Sequence, residues 1–302
     1  MTRKEFVTKA TEALSGIYSP GEAKAVSVRI LSHFMGLSEY EYSVEPGVII
    51  PKPDLSRLQN ALDELSDGRP VQYVIGEETF AGHTFHVNEH VLIPRPETDQ
   101  LCRIIISEWR KSGYQELKIL DAGTGSGCIA YTLAAAFPKA EVFAFDIDSN
   151  ALEIAAGQKI FLDEAGRQPL PEPPVFFQAD ILEGPPEGKG GDGMPNLEDI
   201  DILVSNPPYV CESEKDFMAP NVLDYEPDEA LFVPDSDPLR FYKALTGWAS
   251  SVVKMGGKCY FEINESYGEQ IRALLENSGF SDVEILDDFR GKPRFAVCTK
   301  WF

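Results

Sequence analysis

From Lys118 onward the chain alternates short apolar strands with helical segments, and that order leaves few folds open. Strands are expected at 118–121, 141–146, 175–179 and 201–205, with a helix running to Phe137 after the first and another starting at Ser149 after the second. Strands joined through helices lie parallel, because such a crossover returns the chain to the same end of the sheet. A helix at 241–253, a strand at 258–263 and a helix at 267–277 continue the pattern, and two strands near Val283 and Phe295 close it. Their connection is too short for a crossover, so the last strand should run antiparallel. The expected fold is α/β: a doubly wound, mostly parallel, Rossmann-like sheet of seven strands.

The first part of the chain has a different period. Phe6, Ala10, Leu14 and Ile17 share one helical face and Val26, Ile30 and Phe34 another, with Gly36 ending the second helix. A third helix is expected to start at an Asp54 N-cap, to carry Leu55, Leu58, Leu62 and Leu65, and to stop at Gly68. Over 79–93 the period becomes two, with Phe85, Val87, Val91 and Ile93 alternating with polar residues around Asn88 and Glu89, as in a β-hairpin. The expected organisation is a helical domain over 1–75 that recognises a partner or covers the site, a β-hairpin linker over 76–93, and the α/β domain over 94–302. The Pro-rich stretch 163–174 and the Gly-, Pro- and acid-rich stretch 183–199 read as mobile surface loops.

Composition narrows the partners. Lys and Arg number 27 against 49 Asp and Glu, a net charge of −22, whose field opposes a nucleic-acid backbone, so no direct nucleic-acid binding is expected. The five cysteines show no C-x-x-C spacing, which gives neither a zinc site nor a disulfide framework and fits a reduced, cytoplasmic protein. No membrane span or export signal is visible. His83, His86 and His90 cluster, but they fall in the alternating segment and read as polar hairpin positions, so no metal is expected.

The strand at 118–121 runs straight into Ala122, Gly123, Thr124, Gly125, Ser126 and Gly127 and then a helix, the context in which a glycine-rich loop binds a cofactor. Asp146 ends the next strand, 23 positions after Gly123, where a carboxylate can accept both hydroxyls of a ribose. Two adenosine cofactors fit that pairing, a dinucleotide and S-adenosylmethionine. The loop reads G-x-G-x-G after Asp121, and a carboxylate there repels pyrophosphate but suits the ammonium of a methionine moiety. Asp180, at the end of the following strand, is placed to bind an adenine edge, with Ile181 against the ring.

After the strand at 201–205 comes Asn206-Pro207-Pro208-Tyr209. Two consecutive prolines fix the backbone, remove its N–H donors and leave carbonyls as acceptors beside the Asn206 side-chain oxygen. Such a corner holds a planar NH2 group, an amide or an exocyclic amine, by both hydrogens while Tyr209 covers its face.

Together, residues 121–127, Asp146, Asp180 and 206–209 resemble the successive motifs of class I S-adenosylmethionine-dependent methyltransferases that methylate amino groups. Residues 71–76 (Val-Gln-Tyr-Val-Ile-Gly), 91–98 (Val-Leu-Ile-Pro-Arg-Pro-Glu-Thr) and 225–227 (Tyr-Glu-Pro), with Ala230 and Leu231, resemble the HemK/PrmC family of peptide chain release factor glutamine N5-methyltransferases. The resemblance implies S-adenosylmethionine as cofactor and, as substrate, the glutamine of the Gly-Gly-Gln loop of class 1 release factors. Asn206, Pro207, Pro208 and Tyr209 would serve the chemistry and bind the substrate, Asn206 also touching the cofactor, and Arg95, Glu97 and Thr98 would bind substrate at the mouth as a lid. The related enzyme for a glutamine of ribosomal protein L3 carries Arg-Ser-Pro where this chain has Arg95-Pro96-Glu97, which favours the release factor. A nucleic-acid base, adenine N6 or guanine N2, is the other amine such a corner could take. Two departures stand out: residues 232–238 replace a usual Gly-Gly-x-Asp-Gly stretch, and Asn264 stands where Glu-x-Gly is common after Glu262.

Overall fold

The computed structural model describes residues 1–113, 116–162, 168–186 and 195–301. The chain divides into two compact units, Met1–Glu77 with Ala219–Tyr225, and Glu78–Met218 with Glu226–Phe302.

In the first unit, helices Arg3–Ala13, Pro20–Met35 and Lys52–Ser66 enclose Phe6, Ala10, Leu14, Ile30, Leu31, Leu58 and Leu65. Thr2 and Glu5 close a capping box on the first helix, and Gly36 ends the second at φ +61°, a conformation that costs a side chain energy but glycine nothing. Three sequence expectations need correction. Ile17 lies beyond the first helix and is 44% exposed. The third helix starts at Lys52 behind Pro51, so Asp54 sits in its first turn as a dipole partner and is no cap. Two short helices, Glu39–Val44 and Val71–Ile75, had no apolar period long enough to reveal them.

β1 (Glu77–Phe80), whose first residue closes the first unit, and β2 (His83–His86) form a two-stranded sheet. Its turn is Ala81-Gly82, both at positive φ, and not Asn88-Glu89 as expected. The central strands are β3 (Lys118–Ala122), β4 (Glu141–Asp146), β5 (Val175–Gln178) and β6 (Ile200–Ser205). A parallel pair, β7 (Val210–Cys211) and β8 (Phe232–Val233), stands apart from the main sheet. β9 (Val253–Glu262), β10 (Ser281–Asp287) and β11 (Pro293–Thr299) complete the set. The main sheet has seven strands in the order β10-β11-β9-β6-β3-β4-β5, with β11 antiparallel to both neighbours and the other pairs parallel.

Period two in the strands feeds two cores. Ile119, Ile202, Val204 and Tyr260 face helices Pro96–Ser112 and Cys128–Ala136. Leu120, Leu203, Cys259 and Phe261 face helices Arg240–Val252 and Gly268–Asn277. Strands buried on both faces read as nearly continuous apolar runs, as these do. The expected loops at 163–174 and 183–199 fall partly on 163–167 and 187–194, which lie outside the described residues.

Candidate active site

The order of the sheet fixes where a ligand can bind. The chain proceeds from β3 outward to β4 and β5, then returns to place β6 on the other side of β3. At that reversal the segments leaving β3 and β6 diverge and open a crevice beyond their C-terminal ends. Ala122 pairs with Ser205 there, and the Ser205 hydroxyl donates to the Ala122 carbonyl at 2.7 Å, holding the glycine loop beside the Asn206 corner.

A cavity of about 360 Å³ occupies the crevice, lined by Gly123, Thr124, Gly125 and Ser126, by Asp146, Asp180 and Ile181, and by Asn206, Pro208, Arg95 and Thr98. The N–H groups of Gly123 and Thr124 both donate to the Phe145 carbonyl at 2.9 Å, which folds the loop back over β4. Gly123, Gly125 and Gly127 take φ of +73°, +53° and +80°. A Cβ on Gly125 would meet no atom within 4 Å, so this glycine leaves open space for a ligand. A Cβ on Gly127 would lie 3.2 Å from both Ala155 and Tyr131; that glycine sets the packing of the following helix and does not line the cavity.

Asp146 accepts the Gly125 N–H at 2.8 Å on Oδ2 and the Asp148 N–H at 3.1 Å on Oδ1. Burial raises its pKa while these donors pull it back, so each oxygen is oriented and keeps a lone pair. Asp180 accepts the Leu182 N–H at 2.8 Å on Oδ1, which turns the chain after β5. Asp121 behaves differently from its sequence reading. It is fully buried, takes the Thr124 hydroxyl at 2.6 Å, leaves Oδ1 without a partner, and does not line the cavity. Burial, partly offset by the Thr124 bond, pushes its pKa up to about 7. Its contacts make it a pin beneath the loop, and no ammonium role follows from this position.

The corner after β6 is held from behind. Parity along β9 puts Glu262 on the same face as Tyr260, whose hydroxyl takes the Trp109 indole N–H at 2.9 Å; this is the face of helix Pro96–Ser112. Thr98, in the first turn of that helix and 2% exposed, donates its hydroxyl to Glu262 Oε2 at 2.7 Å. The Asn206 amide Nδ2 donates to Thr98 Oγ1 at 3.1 Å. Tyr209 donates its hydroxyl to Glu262 Oε1 at 2.9 Å. Burial pushes the Glu262 carboxyl up, against the Thr98 and Tyr209 hydrogen bonds and the Arg294 charge that favour its anion. Tyr209 is held neutral, its pKa well above the ordinary value chiefly through burial.

These contacts revise several sequence assignments. Tyr209 and Pro207 do not line the cavity; the Tyr209 ring packs into the second core instead of standing open as a cover for a planar group. Arg95 lines the cavity but is tied to the buried Glu226 at 2.5 Å. Glu97 lies off the cavity, 3.7 Å from Arg290. Thr98 is interior. These three residues therefore do not form a lid. Glu262 and Glu226 were missed as site residues because their partners lie more than 130 positions away, at separations of 164 and 131, and no spacing rule reaches that far. Asn264 donates to the Tyr209 carbonyl at 3.2 Å and to Glu214 at 2.9 Å, fastening the segment that leaves the corner. Of the three clustered histidines, His90 lines the cavity, and His86 donates its backbone N–H to Gln158. Among the described residues no three His, Cys, Asp or Glu side chains group to hold a metal, and no helix is long and apolar enough to cross a membrane.

Residues 5–76 match the family model of the PrmC N-terminal domain, and residues 87–164 match that of the methyltransferase small domain. A release factor glutamine methyltransferase from Bacteroides thetaiotaomicron is 37% identical over 289 residues, 96% of this chain and 97% of that protein. The chain belongs to the release factor glutamine methyltransferase family. A second relative under the release factor glutamine methyltransferase name, from Bacillus subtilis, is 36% identical over 253 residues, 83% of this chain and 82% of its own. The solved catalytic domain of hMettl16, in complex with a 3′UTR hairpin, matches 85% of both chains at 15% identity with a TM-score of 0.50, a likeness of fold alone. Release factor glutamine methyltransferases use S-adenosylmethionine, and the residues present fit it. Gly125 leaves the loop open, Asp146 has both carboxylate oxygens oriented by backbone donors as a ribose diol would require, and Asp180 lines the same cavity.

Proposed function

We propose that this chain transfers a methyl group from S-adenosylmethionine to the side-chain amide nitrogen of the glutamine in the Gly-Gly-Gln loop of class 1 release factors. The observation that carries the reading is the state of Asn206. Its Nδ2 is committed to Thr98, so Oδ1, which has no hydrogen-bond partner among the described residues, is the acceptor offered in the cavity that Asp146 and Asp180 also line. The neighbouring Pro207 carbonyl also accepts no hydrogen bond among the described residues, but Pro207 does not line the cavity.

A carboxamide nitrogen is a weak nucleophile because its lone pair is shared with the carbonyl. A fixed acceptor on one of its hydrogens, Asn206 Oδ1, helps to orient the nitrogen and stabilises the positive charge that grows on it as the N–C bond forms. The cofactor would supply an electrophilic methyl on a sulfonium, whose S–C bond breaks as the N–C bond forms, with S-adenosylhomocysteine as the neutral leaving group. Asn206 Oδ1 remains an acceptor throughout and takes no proton; the N–H proton leaves to water after transfer. Arg95, which also lines the cavity, is turned toward Glu226 and available to shape the substrate side of the pocket.

Radiolabelled S-adenosylmethionine, incubated with a release factor and with the same factor lacking its Gly-Gly-Gln glutamine, tests the reading. Label is expected on the first factor alone. Equal labelling of both, or of neither, refutes the assignment.

A further inference from the structure

A carboxamide side chain has two ends of nearly equal shape and opposite hydrogen-bonding character. If Asn206 presented NH2 to the cavity, it would meet a substrate amide donor to donor. Something must choose the end, and the choice is legible in the buried chain of hydrogen bonds behind the corner.

Glu262 is 1% exposed and stands at the end of β9, one strand from the corner. Both its oxygens accept, one from Thr98 and one from Tyr209. As a carboxylate it has no hydrogen to return, so the single hydroxyl hydrogen of Thr98 is committed to it. Thr98 Oγ1 can then act toward Asn206 only as an acceptor, which draws in Nδ2 and turns Oδ1 outward. We propose that Thr98, held by Glu262, is a positioning residue that fixes which end of the Asn206 carboxamide faces the substrate. This rests on the function proposed above for its catalytic consequence, but the orientation itself is a property of the free protein.

The geometry also accounts for the burial of a hydroxyl and a carboxylate in an otherwise apolar face. Thr98 lies on helix Pro96–Ser112, which carries Leu101, Cys102 and Ile105 into the first core. A valine would fill the same space there. What threonine adds is one donor and one acceptor of defined direction.

The test uses Thr98→Val, nearly isosteric, with Thr98→Ala as a second hydroxyl-free variant should the valine not fold, and Thr98→Ser as the conservative rescue. In substrate-free protein, hydrogen exchange of the Asn206 side-chain amide is followed by NMR. One Nδ2 proton is expected to be protected in wild type and in Thr98→Ser, and to lose protection in the hydroxyl-free variants. In single-turnover methyl transfer to a release factor, the hydroxyl-free variants should be slower by roughly 10² with cofactor affinity by calorimetry changed less than about threefold, and Thr98→Ser should recover to within about threefold of wild type. Unchanged protection, unchanged turnover, or a serine variant as slow as the valine one each overturns the proposal. Lost protection together with no methylation of any release factor by wild type sustains the positioning role and refutes the substrate reading instead.

Discussion

Asn206 and Asp146 illustrate how separate chemical tasks are assigned to single side chains in one cavity. On the proposed function the free Oδ1 of Asn206 serves the amide being methylated, so Asn206→Ala should reduce single-turnover transfer by about 10² or more and leave S-adenosylmethionine affinity nearly unchanged. Transfer at the wild-type rate would remove Asn206 from the chemistry. Asp146 lines the same cavity, and its oxygens are oriented by the Gly125 and Asp148 N–H groups before anything binds. Asp146→Ala should weaken S-adenosylmethionine by about 1.5–3 kcal/mol through lost charge-assisted hydrogen bonds, measured by calorimetry. Unchanged binding would place the ribose elsewhere. That both residues meet at one cavity was legible in the sequence, because each stands at the end of a strand whose neighbours could be assigned. Thr98 was expected at the mouth as part of a lid, and only its bond to the carboxylate 164 positions away shows it to be interior.

At the scale of elements, the glycine loop separates two kinds of constraint that its spacing alone does not distinguish. Gly127→Ala forces a side chain into φ +80° and against Ala155 and Tyr131 at 3.2 Å, where a helix and a neighbouring side chain would have to shift. It should lower stability by about 1–3 kcal/mol. Gly125→Ala has the strained φ of +53° but no neighbour within 4 Å, so it should cost about 1–2 kcal/mol in stability and act mainly by filling space meant for cofactor. Thermal unfolding and cofactor titration of the two variants should rank them in opposite orders; the same order in both would show that the loop acts as one unit. The strands and long helices were readable because each shows its period over enough residues to declare it. The hairpin turn was not. Asn88-Glu89 has the polarity of a turn, but the chain reverses at Ala81-Gly82, where the compact turn satisfies the pairing of β1 with β2 and leaves 88–95 as an irregular wall of the cavity.

The molecule as a whole carries a net charge of −22 and buries carboxyl groups at the centre of its second unit. That residues 219–225 belong with the first unit could not be read locally, since no period or composition marks a return of the chain. The charge, by contrast, has a consequence that the buried groups make specific. Asp121 has an ordinary pKa of 3.8, and burial raises it to about 7 in the folded protein. Below 3.8 both folded and unfolded chains hold the proton, and this site does not weaken the fold. As pH rises, the unfolded chain releases its proton first and is increasingly favoured, until the folded form also ionises near 7. Stability is therefore present in full at low pH and is lost between about 4 and 7, by at most about 4 kcal/mol from this site. Asp146 and Glu262, also raised by burial, act in the same direction, as does the growing repulsion among surface acids. Asp121→Asn isolates one contribution, because the asparagine oxygen still accepts the Thr124 hydroxyl while the charge is gone. Its absolute stability depends on how the new amide hydrogens are received, but its pH dependence does not. All three tryptophans, Trp109, Trp248 and Trp301, lie in the second unit, so their fluorescence reports its unfolding in urea. Between pH 5 and pH 8, wild type should lose about 2–3 kcal/mol more than Asp121→Asn. Parallel profiles for the two proteins would mean that Asp121 is already ionised in the fold, stabilised by a donor that the unpaired Oδ1 does not reveal.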